Sequence, residues 1–422
     1  MNICYINPTN NIRRPIAELA NIFSREGHNI TIMYPTSKAC PTKNWIANDL
    51  IHQDNITPIP IPSWYFSPLR YSLPNIFRLI TETKKAYAHN DIIHIWEYFY
   101  PLSIIPLLYA KLARKRLAQK RRGKTILTTD GFVGYSYQPK EPWWLVPSFK
   151  AYTSVIARFL FKIPRKITTY GSSMAPFAHK AGIPRHLLII IPTGLHLEKF
   201  QADTSTIDAA VKTLRNDLGI KKEKVILFAG MLTERKGVDK VIKISLALLR
   251  EGLPIKTIIV GDAHGPNPYP ALVPEQYKKD IIFTGGRKDI PEFMQLADVL
   301  LLPSEGEGLL GVVMEAMASG LPVVATKEGC TPDLIDHGKN GFLVDNGNYI
   351  QPVKELLASA KKRQSFSAAA KEKIQQFSWI QVAPKYLSLY QEGYNDRSPE
   401  CRNPLPSILE NKKNQEDVKQ WP

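Results

Sequence analysis

Residues 303–326, PSEGEGLLGVVMEAMASGLPVVAT, give the strongest indication of how this chain folds. The aliphatic run at 299–302 predicts a buried strand, the apolar stretch at 311–319 has helical spacing, and 322–326 predicts a second strand. A strand, a glycine-rich turn, a helix and another strand form a βαβ unit of a parallel sheet. Glycines at the helix start let backbone N–H groups approach the phosphate oxygens of a ligand.

The same alternation extends in both directions along the chain. In the second half, strands are predicted at 225–229, 257–260, 281–284 and 342–344, with a helix at 238–250. In the first half, strands are predicted at 2–6, 29–34, 92–96, 125–129, 167–170 and 188–191, with helices at 12–26 and 102–120. The proline-rich stretch 36–73 is interpreted as a long loop. We therefore expect an α/β protein with two Rossmann-like, doubly wound domains facing each other across a cleft.

The apolar rhythm stops at 196–210, which we interpret as the connection between the domains. The predicted division is 1–195 for the first domain, 196–372 for the second and 373–394 for a C-terminal helix that crosses back to the first domain. Residues 395–422 are polar, and we expect a loosely ordered tail.

The amino-acid composition indicates which classes of protein the chain can belong to. The chain has 422 residues, 44% hydrophobic and 22% charged, which is typical of a globular protein. Its four cysteines, at 4, 40, 330 and 401, form no pattern of a zinc site or a disulfide framework. The sequence predicts no signal peptide, and it has no run of about 18 apolar residues. These features predict a cytoplasmic protein, which could also be peripheral on the cytoplasmic face of a membrane.

Charge is distributed unevenly between the halves. Residues 1–200 hold 26 Lys and Arg against 10 Asp and Glu, whereas residues 201–422 hold 29 against 28. The basic half should attract an anionic partner: nucleic acid, a membrane or a phosphorylated substrate. Residues 111–124 contain eight Lys and Arg and no acid, and an aromatic stretch follows at 143–161. This combination favours an anionic membrane surface over a solvated helix face, and nucleic acid is the least favoured partner.

Unusual residues follow five predicted strands of the second half, at the edge where parallel sheets bind ligands. Arg235 and Lys236 follow the first strand and could neutralise a diphosphate, while Glu307 and Glu315 could accept hydrogen bonds from a sugar's hydroxyl groups. Other members of the rim are Gly230, Gly261, Arg287 and Gly308. We interpret Asp262 and Asp333 as caps and Glu305 as a solvated loop charge.

This ordered series of motifs resembles the retaining glycosyltransferases of the GT-B fold, specifically glycosyltransferase family 4. The family's G-R-L-x-x-x-K-G loop resembles residues 230–237, its P-S-x-x-E-G-F-G segment with E-A-M-A-x-G-x-P-V-V-A-T resembles 303–326, and its G-x-x-E-x-x-x-x-G-x-x-G-x-L-V segment resembles 329–344. The two-glutamate signature falls on Glu307 and Glu315. The likeness covers residues 1 to about 394 and is strongest from 190 to 345.

The resemblance implies an enzyme that moves a hexosyl group, with retention, from a nucleotide-diphosphate sugar to a hydroxyl acceptor, with a glycan or a lipid-linked hydroxyl as the candidates. It implies no metal and no other cofactor. Lys236 would neutralise the diphosphate, Glu307 would contact the transferred sugar and Glu315 would hold the ribose. Arg287 would lie beside the base, and the amides of Leu309 and Leu310 would cap a phosphate. The first domain would bind the acceptor and the second the donor.

Three positions depart from the family pattern, and one of them is Leu310, which stands where the second Gly of E-G-F-G is usual. The Arg of G-R-L is Met231, so Arg235 is expected to replace its phosphate contact. The family's catalytic-region His-Gly reads Asp130-Gly131, and Asp130 is carried over as a positional match that cannot donate as an imidazole does.

Two alternatives remain open at this stage. One is a nucleic-acid-binding protein with an inactive GT-B fold, and the other is a sugar-nucleotide epimerase or phosphorylase of related fold. The base and sugar of the donor are not readable from the sequence.

Overall fold

Two parallel sheets organise the chain in the computed structural model, which describes residues 1–37, 55–66, 71–116, 124–136, 144–201, 204–263, 265–305, 308, 311–345 and 347–395. The N-terminal sheet has eight strands in the order β4-β3-β2-β1-β5-β6-β7-β8, parallel except for the β3–β4 hairpin. Its strands are β1 (Asn2–Ile6), β2 (Asn29–Thr36), β3 (Ile56–Phe66), β4 (Tyr71–Pro74), β5 (Ile92–Trp96), β6 (Thr125–Thr128), β7 (Lys166–Thr169) and β8 (Leu188–Ile190).

The C-terminal sheet has six parallel strands in the order β11-β10-β9-β12-β13-β14. Its strands are β9 (Lys224–Ala229), β10 (Ile255–Val260), β11 (Ile281–Gly285), β12 (Val299–Leu302), β13 (Val323–Thr326) and β14 (Gly341–Val344). In both sheets the chain order reverses direction beside the first strand of the domain, which is where doubly wound sheets bind ligands. The predicted fold class is confirmed.

Helices alternate with the strands of both sheets and contribute buried apolar side chains to the cores. In the N-terminal domain they are α1 (Arg14–Arg25), α2 (Ile76–His89), α3 (Pro101–Arg116), α4 (Leu145–Tyr152), α5 (Arg158–Leu160) and α6 (Ala175–Lys180). In the C-terminal domain they are α7 (Thr204–Asp217), α8 (Val238–Arg250), α9 (Ile290–Leu296), α10 (Gly311–Ser319), α11 (Thr331–Leu334), α12 (Ile350–Ala358) and α13 (Ala360–Ile374). A last helix, α14 (Trp379–Asn395), ends the described part.

Helix α14 packs on the N-terminal domain although it follows the C-terminal one. Its buried side chains share a core with strands β1 and β2 and helix α1. The Tyr390 hydroxyl is hydrogen-bonded to the buried His94 of β5 at 2.6 Å. Backbone hydrogen bonds join Leu195, just after β8, to Phe377 and Trp379 at 2.9 and 3.2 Å. The chain therefore crosses between the domains twice, once after β8 and once before α14, and the two crossing segments are hydrogen-bonded to each other.

The interpretation of 36–73 as a loop is wrong for the described part of that stretch. Strand β3 pairs in parallel with β2, and its prolines 58, 60 and 62 recur at every second position. Beyond β3 the sheet has only the short hairpin partner β4, which pairs with residues 63–66. Proline is tolerated there because its missing N–H would face an unpaired edge.

Two further expectations need correction. The predicted connection at 196–210 is helical from Thr204, where α7 begins. Lys124, the last cation of the basic run, is buried and donates to the carbonyl of Asn90 at 2.7 Å, so it is not part of a basic surface. Residues 117–123 of that run lie outside the described residues, as do 395–422 of the predicted tail except for Asn395.

Candidate active site in the interdomain cleft

Loops at the carboxyl ends of β9, β10 and β11 are joined into one rim. Gly261 donates to the Gly285 carbonyl at 2.9 Å, and Asp262 accepts from the Gly286 amide at 2.7 Å. Gly230 and Gly261 have φ of 150° and 145°, and a Cβ on Gly261 would overlap the Gly230 carbonyl. Glycine is required at this close approach, which leaves the strand ends open to a ligand.

Lys236 and Arg235 lie on a short 3-10 turn between β9 and α8. Gly237, with φ of 74°, ends this turn. It lies so close to the Pro303 carbonyl, at the end of β12, that a Cβ on Gly237 would overlap it. The Arg235 carbonyl accepts from the Glu305 amide at 2.8 Å. The predicted diphosphate-binding turn therefore lies directly beside the start of the 303–311 loop.

Arg287 lies at the outer part of the rim. It makes two hydrogen bonds to Asp289, at 2.9 and 2.6 Å, and its guanidinium lies 5.5 Å from the centroid of the Phe293 ring. The side chain is exposed, so a flat guanidinium is presented next to the loop after β11.

Three predicted site residues, Glu307, Leu309 and Leu310, lie outside the described residues. The loop is nevertheless fixed at Gly308, whose carbonyl accepts from the Cys330 amide at 3.2 Å. A Cβ on Gly308 would lie 3.1 Å from the Asp130 carbonyl and 3.2 Å from the Asp130 Cβ. Asp130 of the N-terminal domain is thus in direct contact with the glycine-rich loop of the C-terminal domain.

Glu315 lies on α10 and also faces the N-terminal domain. Its carboxylate pairs with Arg14, at the start of α1, at 3.0 Å. The Glu315 side chain is 17% exposed, and that of Arg14 is 46% exposed. The structure thus brings Asp130, Gly308 and Glu315 to the interdomain boundary, while Lys236, Arg235 and Arg287 line the rim of the C-terminal sheet.

Arg13, the residue just before α1, forms ion pairs with two acidic residues. It donates to Glu97 and to Asp130, each at 2.6 Å. The Thr129 hydroxyl lies 2.8 Å from the other Glu97 carboxyl oxygen, and the Asp130 amide donates to Glu97 at 3.3 Å. Glu97, directly after β5, has φ of 61°, and among the described residues it is the one non-glycine with positive φ. Such strain costs about 1–3 kcal/mol and is concentrated at functional sites.

The protonation of this cluster follows from two carboxyls sharing one guanidinium. Burial and the neighbouring Asp130 charge raise the pKa of Glu97 to about 8. Burial also acts to raise the pKa of Asp130, but the Arg13 guanidinium outweighs it, and the pKa of Asp130 is lowered. Near neutral pH the cluster therefore holds a proton on Glu97 and a negative charge on Asp130, which faces the cleft.

A cavity of about 450 Å³ lies between the two domains. The N-terminal domain contributes Tyr135, Ser136, Ser173 and Phe177, and the C-terminal domain contributes Glu305, Lys327, Glu328, Gly329 and Pro332. Another cavity of about 440 Å³, lined by Ser319, Gly320 and Arg363 among others, lies at the opposite end of the C-terminal strands. Of these two cavities, the interdomain one adjoins the loops after β12 and β13.

Asp333 ties the domains together next to this cavity. Its carboxylate accepts from the amide and hydroxyl of Ser172, at 2.7 and 2.5 Å, and from the Ser173 amide at 3.1 Å. These amides begin a 3-10 turn of the N-terminal domain, so Asp333 acts as a cap, but across the domain boundary. Buried Cys330 belongs to the core of the N-terminal domain.

Sequence reasoning missed Arg13, Arg14 and Glu97 and misinterpreted Glu305. Two adjacent arginines at a helix start are unfavourable against the helix dipole unless acids meet them, which is the signal that was available. Glu305 is half-buried, pairs with Lys240 at 2.5 Å and lines the interdomain cavity, so the interpretation as a solvated charge is wrong.

Within the described residues, no group of three or more His, Cys, Asp and Glu side chains is placed to hold a metal ion. Nor does any helix in the described ranges have the length and apolar character needed to cross a membrane.

Residues 211–373 match the family model described as "Glycosyl transferases group 1". The "Spore coat protein SA" of Bacillus subtilis is 28% identical over 199 residues, 44% of this chain and 53% of that protein. A "D-inositol 3-phosphate glycosyltransferase" of Corynebacterium aurimucosum is 29% identical over 236 residues, 53% of this chain and 55% of that protein. The chain thus spans about half the length of the curated relatives it matches. The match to the group 1 glycosyltransferase model falls within the C-terminal domain.

Solved structures share the fold over nearly the whole chain. HepE of Anabaena, crystallised with UDP, superposes with a TM-score of 0.70 at 18% identity, covering 93% of this chain and 100% of that one. Sucrose-phosphate synthase of Thermosynechococcus elongatus gives a TM-score of 0.72 at 16% identity, covering 94% and 99%. The resemblance to GT-B glycosyltransferases is confirmed, and these findings are consistent with family 4.

Proposed function

We propose that this chain is a retaining glycosyltransferase that moves a hexosyl group from a nucleotide-diphosphate sugar to a hydroxyl acceptor. The observation that carries the proposal is the meeting of the two domains at one place: the glycine-rich loop after β12 is in contact with Asp130, and a cavity of about 450 Å³ opens beside it. A donor held by the C-terminal loops would present its sugar to this cavity. The UDP and UDP-glucose in the HepE structures support a uridine-diphosphate hexose as the first donor to test.

Charge stabilisation is the main catalytic device in the proposal. The bond from the anomeric carbon to the diphosphate oxygen breaks, the acceptor hydroxyl oxygen bonds to that carbon, and the hydroxyl proton passes to the departing diphosphate, on which negative charge develops. Lys236 and Arg235 would neutralise that charge, together with the N–H groups at the start of α10. Because these groups can supply the neutralisation, we propose a reaction without a metal ion.

The transferred sugar would lie between the domains. Glu307 would bind its hydroxyl groups, and Glu315 would hold the ribose after exchanging its contact with Arg14. Asp130, kept ionised by Arg13, would stabilise positive charge on the anomeric carbon or bind a hydroxyl group. The acceptor would enter from the Tyr135 side of the cavity and is proposed to be a glycan or lipid-linked hydroxyl.

Neither alternative is favoured by the comparisons. The hypothesis of a nucleic-acid-binding protein with an inactive fold does not account for the rim of the C-terminal sheet or for the interdomain cavity. An epimerase or phosphorylase of related fold would act on a sugar nucleotide but would not move its sugar to a hydroxyl acceptor.

The test measures hydrolysis or transfer with uridine-, guanosine- and adenosine-diphosphate hexoses. Lys236→Ala and Glu307→Ala should each lower turnover by about 10²–10³-fold or more, as for other groups that stabilise transition-state charge. Lys243→Ala is the matched control, since Lys243 is an exposed lysine on the following helix that pairs with Asp239. Normal turnover of both site variants, or no turnover of the native chain with any donor, would refute the proposal.

A further inference from the structure

Most of the exposed apolar side chains belong to the N-terminal domain. Among the described residues, fourteen large apolar side chains are exposed, and ten of them lie between residues 64 and 159. Scattered exposed apolar residues need no explanation, but a concentration of this kind marks an interaction surface.

The densest part of this surface is built from α3 and the helical segment that runs from α4 to α5. Leu108 and Leu112 lie one turn apart on α3, and Val155, Ile156 and Phe159 lie on the other segment; these five residues are here called the α3–α5 face. Val155 is 71% exposed, Ile156 is 54% and Phe159 is 52%. Lys111 of α3 lies 3.4 Å from the Phe159 ring centroid, which joins the two parts into one face.

The helical segment is apolar on both sides. Its inner side is buried in the domain core through Thr153, Ala157 and Leu160. A surface helix ordinarily carries polar residues on its outer side, so an apolar outer side requires a second apolar environment.

Cations surround the α3–α5 face. Lys150, Arg158 and Lys162 are exposed on the same helical segment or just after it. Residues 98–170 contain fourteen Lys and Arg but only two acids, Asp130 and Glu141. Asp130 is held in the cleft by Arg13, and Glu141 lies outside the described residues.

We propose that the α3–α5 face docks on the surface of an anionic lipid bilayer, with the apolar side chains at the level of the headgroups and the cations against their phosphates. The combination of aromatic and aliphatic side chains with Lys and Arg is that of interfacial membrane anchors. A second copy of the chain is a poorer occupant, because pairing would bring two strongly basic surfaces together. Nucleic acid is poorer too, since Val155 and Ile156 have no favourable contact with a phosphate backbone.

Docking there would place the interdomain cavity next to the bilayer. Tyr135, which lines the cavity, is hydrogen-bonded to Ser154 at 2.7 Å, one residue before Val155. The Lys150 ammonium lies 6.0 Å from the Tyr135 ring centroid. Resting on the proposed function, this adjacency assigns the acceptor to a class: a hydroxyl carried by a lipid whose headgroup reaches the cavity from the membrane surface.

The experiment is co-flotation of the full chain with vesicles of phosphatidylcholine alone or with about a third phosphatidylglycerol, at low and high salt. We expect binding to the anionic vesicles that weakens as salt rises. The double variant Ile156→Ser/Phe159→Ser should weaken binding by about tenfold or more, and Lys162→Gln by about fivefold. These side chains are exposed, so the fold should be kept, and the melting temperature checks this.

Leu272→Ser is the matched control, since Leu272 is 52% exposed on the C-terminal domain. The inference would be overturned if Leu272→Ser lost as much vesicle binding as the double variant. It would also be overturned if the native chain bound no vesicles, or bound neutral and anionic vesicles equally. Dimerisation in sedimentation velocity that the double variant abolishes would overturn it too, as would binding of an oligonucleotide that Ile156→Ser/Phe159→Ser weakens equally. Flotation needs no turnover, so a chain that uses a donor sugar but binds no vesicles refutes only this inference, and the reverse result refutes only the proposed function.

Discussion

Replacing Glu97 by glutamine tests the protonation of the cluster formed by Arg13, Glu97 and Asp130. The pKa of Glu97 is raised from 4.5 to about 8. A carboxyl whose pKa is higher in the folded state contributes stability that is complete below pH 4.5 and is lost as the pH rises through about 8. Within this range the unfolded chain has released the proton and the folded chain has kept it.

The expected change in the free energy of unfolding follows from the one proton that the folded chain keeps on Glu97. Between about pH 5.5 and 7.5, the titration of Glu97 should lower the free energy of unfolding by roughly 2–3 kcal/mol. The glutamine of Glu97→Gln does not titrate. The variant's free energy of unfolding, minus that of the native chain, should therefore rise by roughly 2–3 kcal/mol over those two units. Taking the difference removes the titration of every group whose pKa does not depend on Glu97.

The glutamine side chain of this variant should fit the site because its oxygen can accept from Arg13 as the Glu97 carboxyl does. Its amide can donate to the Thr129 hydroxyl, which in turn donates to the Gly131 carbonyl at 2.7 Å. The assay is urea unfolding followed by tryptophan fluorescence at three pH values. A difference that does not change with pH between about 5.5 and 7.5 would refute the raised pKa and would mean that Arg13 keeps Glu97 ionised.

Asp130→Asn is the companion variant. Because the Asp130 charge is one cause of the raised pKa of Glu97, its removal should lower that pKa and flatten the pH dependence. The same variant should lower turnover if Asp130 acts on the transferred sugar. Unchanged pH dependence would contradict the coupling of the two carboxyls.

Three further predictions concern the contacts between the domains. Gly194→Ala should lower the melting temperature, at a cost of about 1–3 kcal/mol, because its Cβ would overlap the buried Trp379 ring; an unchanged melting temperature would contradict this. His196→Gln should destabilise the chain most below pH 6.5, because the hydrogen-bonded Glu18 carboxylate raises the pKa of His196, and stability from such a group is lost as pH rises; urea midpoints across pH measure it. Arg14→Ala should tighten donor binding up to about fivefold in titration calorimetry, because it frees Glu315. Weaker donor binding would contradict the proposal that Glu315 exchanges Arg14 for the ribose.

The sheets could be predicted from the sequence because buried parallel strands consist of aliphatic residues. All predicted strands are present, with ends within two residues, and helix α8 matches its predicted bounds. Strand β3 could not be predicted, since its prolines are compatible with a strand only at a sheet edge, and edge position is a tertiary property. The cluster at Arg13 was missed for a similar reason: its partners Glu97 and Asp130 are 84 and 117 residues away in sequence.

The start of α1 explains how one short segment serves both domains. Arg13 and Arg14 would each be unfavourable at a helix N-terminus in isolation, because both add positive charge to the positive end of the dipole. Arg13 meets two acids of its own domain, whereas Arg14 meets Glu315 of the other domain. The contacts of Arg13 include the buried Glu97, whereas the contact of Arg14 is partly exposed and therefore weak. A ligand that binds Glu315 would replace the contact with Arg14, while the contacts of Arg13 with Glu97 and Asp130 lie within the N-terminal domain and would be kept.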